Sequence, residues 1–180
     1  GFGDVWTWTA IDADSKLIVS YLVGGRTAAY ARKFIDDLAS RLAHRVQLTT
    51  DGFKQYLTAV ENSFGSDIDY AMLDKIYNMP PRDGQARYSP AECCGTRKIK
   101  VKGNPDMKKV STSFVERQNL TMRMSMRRMT RLTNAFSKKI ENQAHAVALH
   151  FMHYNFCRVQ QTLRVPPAME ANLTDHVWAL

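Results

Sequence analysis

Val46-Gln47-Leu48-Thr49-Thr50-Asp51-Gly52 is a short strand pattern that closes on an Asp-Gly turn pair, and a helical pattern begins directly after it. Phe53, Tyr56, Leu57, Val60 and Phe64 recur at helical spacing, so the reading is strand, turn, helix, with Asp51 at the carboxyl end of a strand. Upstream, Val5 to Ile11 alternates with period two: Trp6, Trp8 and Ala10 fall on one side and Val5, Thr7, Thr9 and Ile11 on the other. Asp12-Ala13-Asp14-Ser15 is a turn, and Leu17 to Val23 is a second strand, apolar enough to be covered on both faces and ended by Gly24-Gly25. The two strands should form a hairpin. From Thr27, a predicted N-cap, the residues Tyr30, Ala31, Phe34, Ile35, Leu38 and Leu42 describe an amphipathic helix.

Downstream, Ile68 to Leu73 alternates again. Pro80, Pro81, Pro90 and Pro105 interleave with Gly84, Gly95 and Gly103, which predicts a long loop insertion over about 78–110 that also carries Arg97, Lys98, Lys100 and Lys102. A helix is expected from Ser113 to about Arg128 and another from about Ser137 to His153, with an interruption near 130–134. Pro166-Pro167 should end regular structure before a short tail. Strands interleaved with helices on a central sheet give an α/β class, in which ligands and catalytic groups gather at the carboxyl ends of strands.

The 180 residues suffice for one compact domain with a core, and we expect one domain over 1–165 followed by a tail over 166–180. The net charge of +8 favours a polyanionic partner, and its placement is more informative than its size. After Glu116 come Arg117, Arg123, Arg127, Arg128, Arg131, Lys138 and Lys139 with no acid before Glu141, so this segment cannot neutralise itself locally. A nucleic-acid backbone fits that need. Three cysteines, two of them adjacent at Cys93 and Cys94, offer neither a CxxC pair nor a disulfide framework, which suits a reducing cytoplasm. No apolar run reaches membrane-spanning length. The chain opens on Gly1-Phe2-Gly3-Asp4 without an initiator Met and reads as a fragment or processed piece.

Two carboxylates stand out for chemistry. Phosphoryl transfer with two metal ions draws carboxylates from different elements onto Mg²⁺ or Mn²⁺, because hard cations prefer oxygen ligands. Asp51 and Glu116 are the candidates. Each has a plainer reading: Asp51-Gly52 is a favoured turn, and Ser113 with Glu116 has the spacing of a capping box. Arg123, Arg127 and Arg131 lie within reach of one helical face leading from Glu116 and could follow a bound phosphate backbone. Met122, Met124, Met126 and Met129 read as core packing. His145, His150 and His153 lack an i, i+4 pair and read as structural or solvated rather than as zinc ligands.

Four stretches together carry a resemblance: Leu48 to Tyr56, Ser111 to Leu120, Arg131 to Lys139, and Tyr154-Asn155-Phe156-Cys157-Arg158. Through nearly its whole length the chain resembles the DDE transposases of bacterial insertion sequences, the group typified by the first-numbered insertion element. The resemblance implies an RNase H-like (retroviral-integrase-like) mixed sheet flanked by helices. It also implies an Asp, Asp, Glu triad that holds two Mg²⁺ or Mn²⁺ ions, cuts element ends and joins them to target DNA. Asp51 takes the place of the second Asp and Glu116 that of the Glu, while Arg123, Arg127, Arg131 and Lys138 would lie along DNA phosphates. The first Asp belongs to a first strand next to the one bearing the second Asp. The resemblance puts Val5 to Ile11 on the second strand and Leu17 to Val23 on the third, which leaves Asp12 in a hairpin turn and the first strand upstream of Gly1. Gln160 stands where the pattern has His, and Pro166 where it has Thr. The implied partners are element-end and target DNA and further copies of the chain, in a nucleoid-associated cytoplasmic setting. Two other functions remain open at this point: an RNase H-like nuclease without strand transfer, and a non-catalytic DNA-binding remnant.

Overall fold

A computed structural model describes residues 5–77, 93–129 and 139–179. The class is mixed α/β. The chain falls into two compact units, a finer division than one domain over 1–165: residues 1–41 with 113–180 form the first, and residues 42–112 the second.

In the first unit, β1 (Trp6–Ile11) and β2 (Ile18–Gly24) form the expected antiparallel hairpin, in register from Trp6 opposite Gly24 to Ala10 opposite Ser20. The period-two reading is realised. Trp8 packs on Phe34 of α1 (Ala28–Ser40), and Ser20 and Gly24, which lie on the same face as Trp8, meet Asp37 and Tyr30 of that helix. Tyr21, on the other face, meets Phe151 of α4 (Ile140–Met152). β2 is less enclosed than its apolar run suggests, because Tyr21 remains exposed. Thr27 occupies the N-cap position of α1, although its side chain makes no capping hydrogen bond.

α3 (Ser113–Ser125) contributes Met122 to a core shared with Ile18, Met126, Val147, Phe151 and Tyr154. The expected helix to Arg128 ends early: Arg127–Met129 is a 3-10 turn. Both Met126 and Met129 pack in this core, and the tighter turn superposes residues three apart, so it can direct both inward. The methionine reading holds for those two and for Met122, whereas Met124 is 79% exposed. α4 runs into a π-helical turn, His153–Cys157. Pro166-Pro167 begins a short helix, α5 (Pro167–Glu170), rather than ending regular structure, since proline is favoured at the first helical position where no backbone donor is needed. The tail also packs back, with Trp178 N–H donating to the Phe156 carbonyl at 3.1 Å and its ring 4.4 Å from that of Phe156.

In the second unit, β3 (Gln47–Asp51) pairs in parallel with β4 (Asp69–Tyr77), and β4 pairs antiparallel with β5 (Cys93–Lys102), giving a mixed sheet in the order β3-β4-β5. α2 (Gln55–Phe64) makes the β3-to-β4 crossover and buries Ala59 and Val60. The predicted loop over 78–110 is corrected at this point: the residues leading to the Gly103 turn form β5, Cys93 and Cys94 included. Gly and Pro density at the two ends of the insertion hides a strand whose own alternation is of Lys with Ile and Val rather than of polar with buried residues. The rest of that segment, 78–92, lies outside the described residues. Among the described residues β1 pairs only with β2 and β3 only with β4, so each keeps one unpaired backbone edge.

Candidate active site and nucleic-acid interface

Asp51 ends β3, as the sequence pattern requires, and is exposed. Its Oδ1 accepts the backbone N–H of Phe53 at 3.2 Å, so the plainer turn reading is also correct: the side chain closes an Asx turn that starts the crossover to α2. The strand end is fixed from beneath by two hydroxyls. Thr50 donates its one hydroxyl proton to the Asp51 carbonyl at 3.0 Å, so in the 2.8 Å contact between Thr50 and Tyr70 the phenol must be the donor. Burial pushes the Tyr70 phenol up to about 12, with the Asp51 charge adding to the effect, so it stays protonated and able to donate. Gly52 lies close against Asp74: a Cβ there would stand 2.1 Å from Asp74 Oδ1, so that side chain would have to move aside.

The register then decides what shares a face with Asp51. Asp51 is opposite Leu73, and Leu73 is opposite Lys98; one row back, Thr49 is opposite Ala71, and Ala71 opposite Lys100. Directly paired residues project to the same side of a sheet, so Asp51, Lys98 and Lys100 belong to one face. Val110 and Met107 cover its apolar middle, Ala71 and Leu73. The opposite face carries Thr50, Tyr70 and Met72, all buried.

Glu116 lies in the first turn of α3 and is exposed, together with Arg117. Gln118, two residues beyond Glu116, turns inward and is 3% exposed, with no hydrogen-bond partner for Nε2 among the described residues. Arg123 is exposed in the last turn of α3. Arg127 is exposed too, but it stands on the 3-10 turn, so the single helical stripe expected from Glu116 through Arg123 is broken before it. Arg131 and Lys138 lie outside the described residues. Asp51 belongs to the second unit and Glu116 to the first.

Asp12 is engaged in its own turn, where Oδ2 accepts both the N–H (2.8 Å) and the hydroxyl (2.5 Å) of Ser15. Among the described residues no group of three or more His, Cys, Asp or Glu is arranged to hold a metal ion. Burial lowers the His150 pKa below the ordinary imidazole value, and the charges of His153 and Arg158 act in the same direction. A cavity of about 430 Å³ in the first unit, lined by Ser20, Asp37, Arg41, Phe151 and Asn155 among others, contains an ion pair already satisfied: Arg41 reaches both oxygens of Asp37 at 2.8 and 3.0 Å, and Ser20 donates to the same carboxylate at 2.6 Å.

Asn155 has a structural role that the sequence pattern does not reveal. Its amide accepts from Ile18 N–H and donates to Ile18 C=O, both at 3.0 Å, pairing with β2 as an added strand would, while Tyr154 Oη donates to the Lys16 carbonyl at 3.2 Å. Tyr154-Asn155 is part of one of the four stretches that carry the resemblance, and no local pattern could locate its partner 137 residues away. No helix among the described residues is long and apolar enough to cross a membrane. Comparison with protein-family models, with curated proteins and with solved structures finds no match to this chain.

Proposed function

We propose that the chain is the catalytic region of a DDE-type DNA transposase, with an RNase H-like fold, that cleaves DNA strands and transfers them in a metal-dependent reaction. The observation that carries this reading is Asp51: an exposed carboxylate at the carboxyl end of a parallel strand, with its backbone pinned by Thr50 and Tyr70 and a basic face beside it. Strand ends of this kind are where open α/β sheets place their reacting groups. The unpaired edge of β3 is where the reading seats the strand bearing the first Asp.

Asp51 and Glu116 are the residues that would hold Mg²⁺ or Mn²⁺. Both are exposed carboxylates, and hard oxygen donors suit either ion. When bound, such ions activate the attacking oxygen and stabilise the leaving one. Arg123, Arg127, Arg131 and Lys138 would track the phosphate backbone of element-end and target DNA. Successive nucleophiles would be water, for cleavage, and a DNA 3′ hydroxyl, for joining, within an assembly of several copies on DNA.

The test is a strand-cleavage and joining assay on supercoiled DNA with Mg²⁺ or Mn²⁺, using the protein that contains this chain. Nicked and joined products that disappear in Asp51→Asn and in Glu116→Gln are expected. Undiminished activity in either variant would refute the assignment, cleavage without joined molecules would favour a nuclease, and salt-sensitive binding without cleavage would favour a DNA-binding remnant.

A further inference from the structure

We propose that Lys98 and Lys100 form a phosphate-binding pair that holds the DNA strand beside Asp51. The pair rests on the transposase reading and adds to it two residues outside the arginine segment, in the unit that carries Asp51.

The placement follows from register. Lys98 stands in the same cross-strand row as Asp51, two strands away, which at about 4.8 Å per strand separates their backbones by about 10 Å. Lys100 is two residues along on the same face, about 7 Å further down the strand. A backbone strand that brings one phosphate to the acid and its neighbours to the lysines would cross above Val110 and Met107, which cover Leu73 in the row between them.

Among the described residues neither ammonium group is in an ion pair, although the Lys100 charge helps to hold the Asp69 carboxyl down. Lys98 Nζ donates to the Met107 carbonyl at 2.7 Å, and Lys100 Nζ to Asn104 Oδ1 at 3.2 Å; both acceptors are neutral. The acids nearby are committed elsewhere. Asp69 receives Arg45 through both carboxylate oxygens and the Asn104 N–H as well, Asp74 faces Arg97, and Glu61 takes Lys102 on the opposite side of the sheet. Lys108 and Lys109 follow on the segment that covers the same face, where Asp106 is the one acid between Gly103 and Glu116. Both Lys98 and Lys100 are exposed and can swing from their neutral acceptors to a phosphate without breaking an ion pair among the described residues. A regular polyanion fits the i, i+2 spacing on an extended strand, and a nucleic-acid strand is the occupant we commit to.

The experiment is fluorescence anisotropy of a short labelled DNA duplex binding to the 180-residue chain, titrated over about 50–200 mM salt. For Lys98→Met/Lys100→Met, which keeps most of each stem, the slope of log K against log salt should fall by about 1.8, about 0.9 for each phosphate left without its ammonium partner. Lys98→Arg/Lys100→Arg should restore it. An unchanged slope in the double Met variant, with its circular dichroism intact, overturns the lysine pair alone. Wild-type chain without salt-sensitive DNA binding overturns the lysine pair and the transposase reading together. If the double variant does not fold, Lys100→Met serves, its one amine hydrogen bond among the described residues being the 3.2 Å bond to Asn104; a slope decrease of about 0.9 supports the pair and no decrease overturns it. Polyglutamate competing as well as DNA at equal charge would overturn it in favour of an acidic peptide.

Discussion

The Tyr70 hydroxyl donates to Thr50 Oγ1 across the β3–β4 pair, and this 2.8 Å bond stands directly beneath the strand end that carries Asp51. Tyr70→Phe removes the donor and leaves Thr50 still bonded to the Asp51 carbonyl, so the loss should be that of one buried hydrogen bond, about 1 kcal/mol in urea unfolding. Thr50→Val removes both links and should cost more, about 1–3 kcal/mol, because the Tyr70 hydroxyl is then buried without an acceptor. A larger effect of Tyr70→Phe than of Thr50→Val would contradict this direction of donation.

The same phenol gives an alkaline signature. Its pKa is about 12 in the fold and 10.0 as the reference, so the folded state holds its proton more tightly than the unfolded chain does. That contribution is complete below pH 10 and is lost as pH rises through about 12. Spectroscopic titration of the tyrosines should therefore show a late-titrating group that disappears in Tyr70→Phe, and the steep alkaline loss of stability should flatten in that variant.

At the acid end the group to follow is Asp69. Arg45 and the Asn104 N–H hold its carboxyl down to about 2, from 3.8. A depressed carboxylate contributes above its unfolded pKa, so the contribution is complete above about pH 4 and is lost as pH falls from there toward 2. Asp69→Asn should reduce that acid dependence and leave the alkaline side of the stability profile in place. Gly103 belongs to the same arrangement: it has φ +67°, and a Cβ there would stand 2.2 Å from Asp69 Oδ1 and 2.6 Å from the Ile68 carbonyl. Gly103→Ala should destabilise by more than the ~1 kcal/mol of an unfavourable backbone region, since the Asp69–Arg45–Asn104 cluster must also shift. Chemical denaturation at neutral pH and at about pH 3 checks both variants.

The elements most legible in the sequence are those whose stabilising contacts are periodic. The helical spacing of Ala31, Phe34, Ile35 and Leu38 is a direct image of one-sided burial, whereas the alternation of Trp6 to Ile11 marks the strand although Trp8 alone in it is buried; each element forms where the pattern puts it. β5 is not legible, because a strand with Lys98 and Lys100 on one face and half-buried Ile99 on the other gives no buried stripe. Asp51 can be placed at a strand end from local pattern, and its Asx turn is local too. What flanks it, Lys98 two strands away, depends on a pairing register that no local window contains. The arginine segment is legible as charge but not as geometry: the break at Met126 depends on core contacts with α4, and it takes Arg127 off the helical stripe.

Asn155 offers the sharpest separation of packing from pairing. Its amide supplies one donor and one acceptor to Ile18, so Asn155→Ala deletes both and leaves the N–H and C=O of a buried residue unpaired. Each uncompensated buried group costs about 1–3 kcal/mol, and partial access of water should hold the total near 2–4 kcal/mol. Asn155→Asp is almost isosteric and keeps the acceptor for Ile18 N–H, but it turns the donor facing the Ile18 carbonyl into an oxygen. It should therefore destabilise at neutral pH and recover as pH falls and the carboxyl gains a proton that can reach that carbonyl. Urea unfolding of the two variants at about pH 7 and about pH 4 distinguishes the cases: recovery in Asp and none in Ala is expected, whereas an Asp variant as stable as the wild type at both pH values would mean that the amide serves only to fill space.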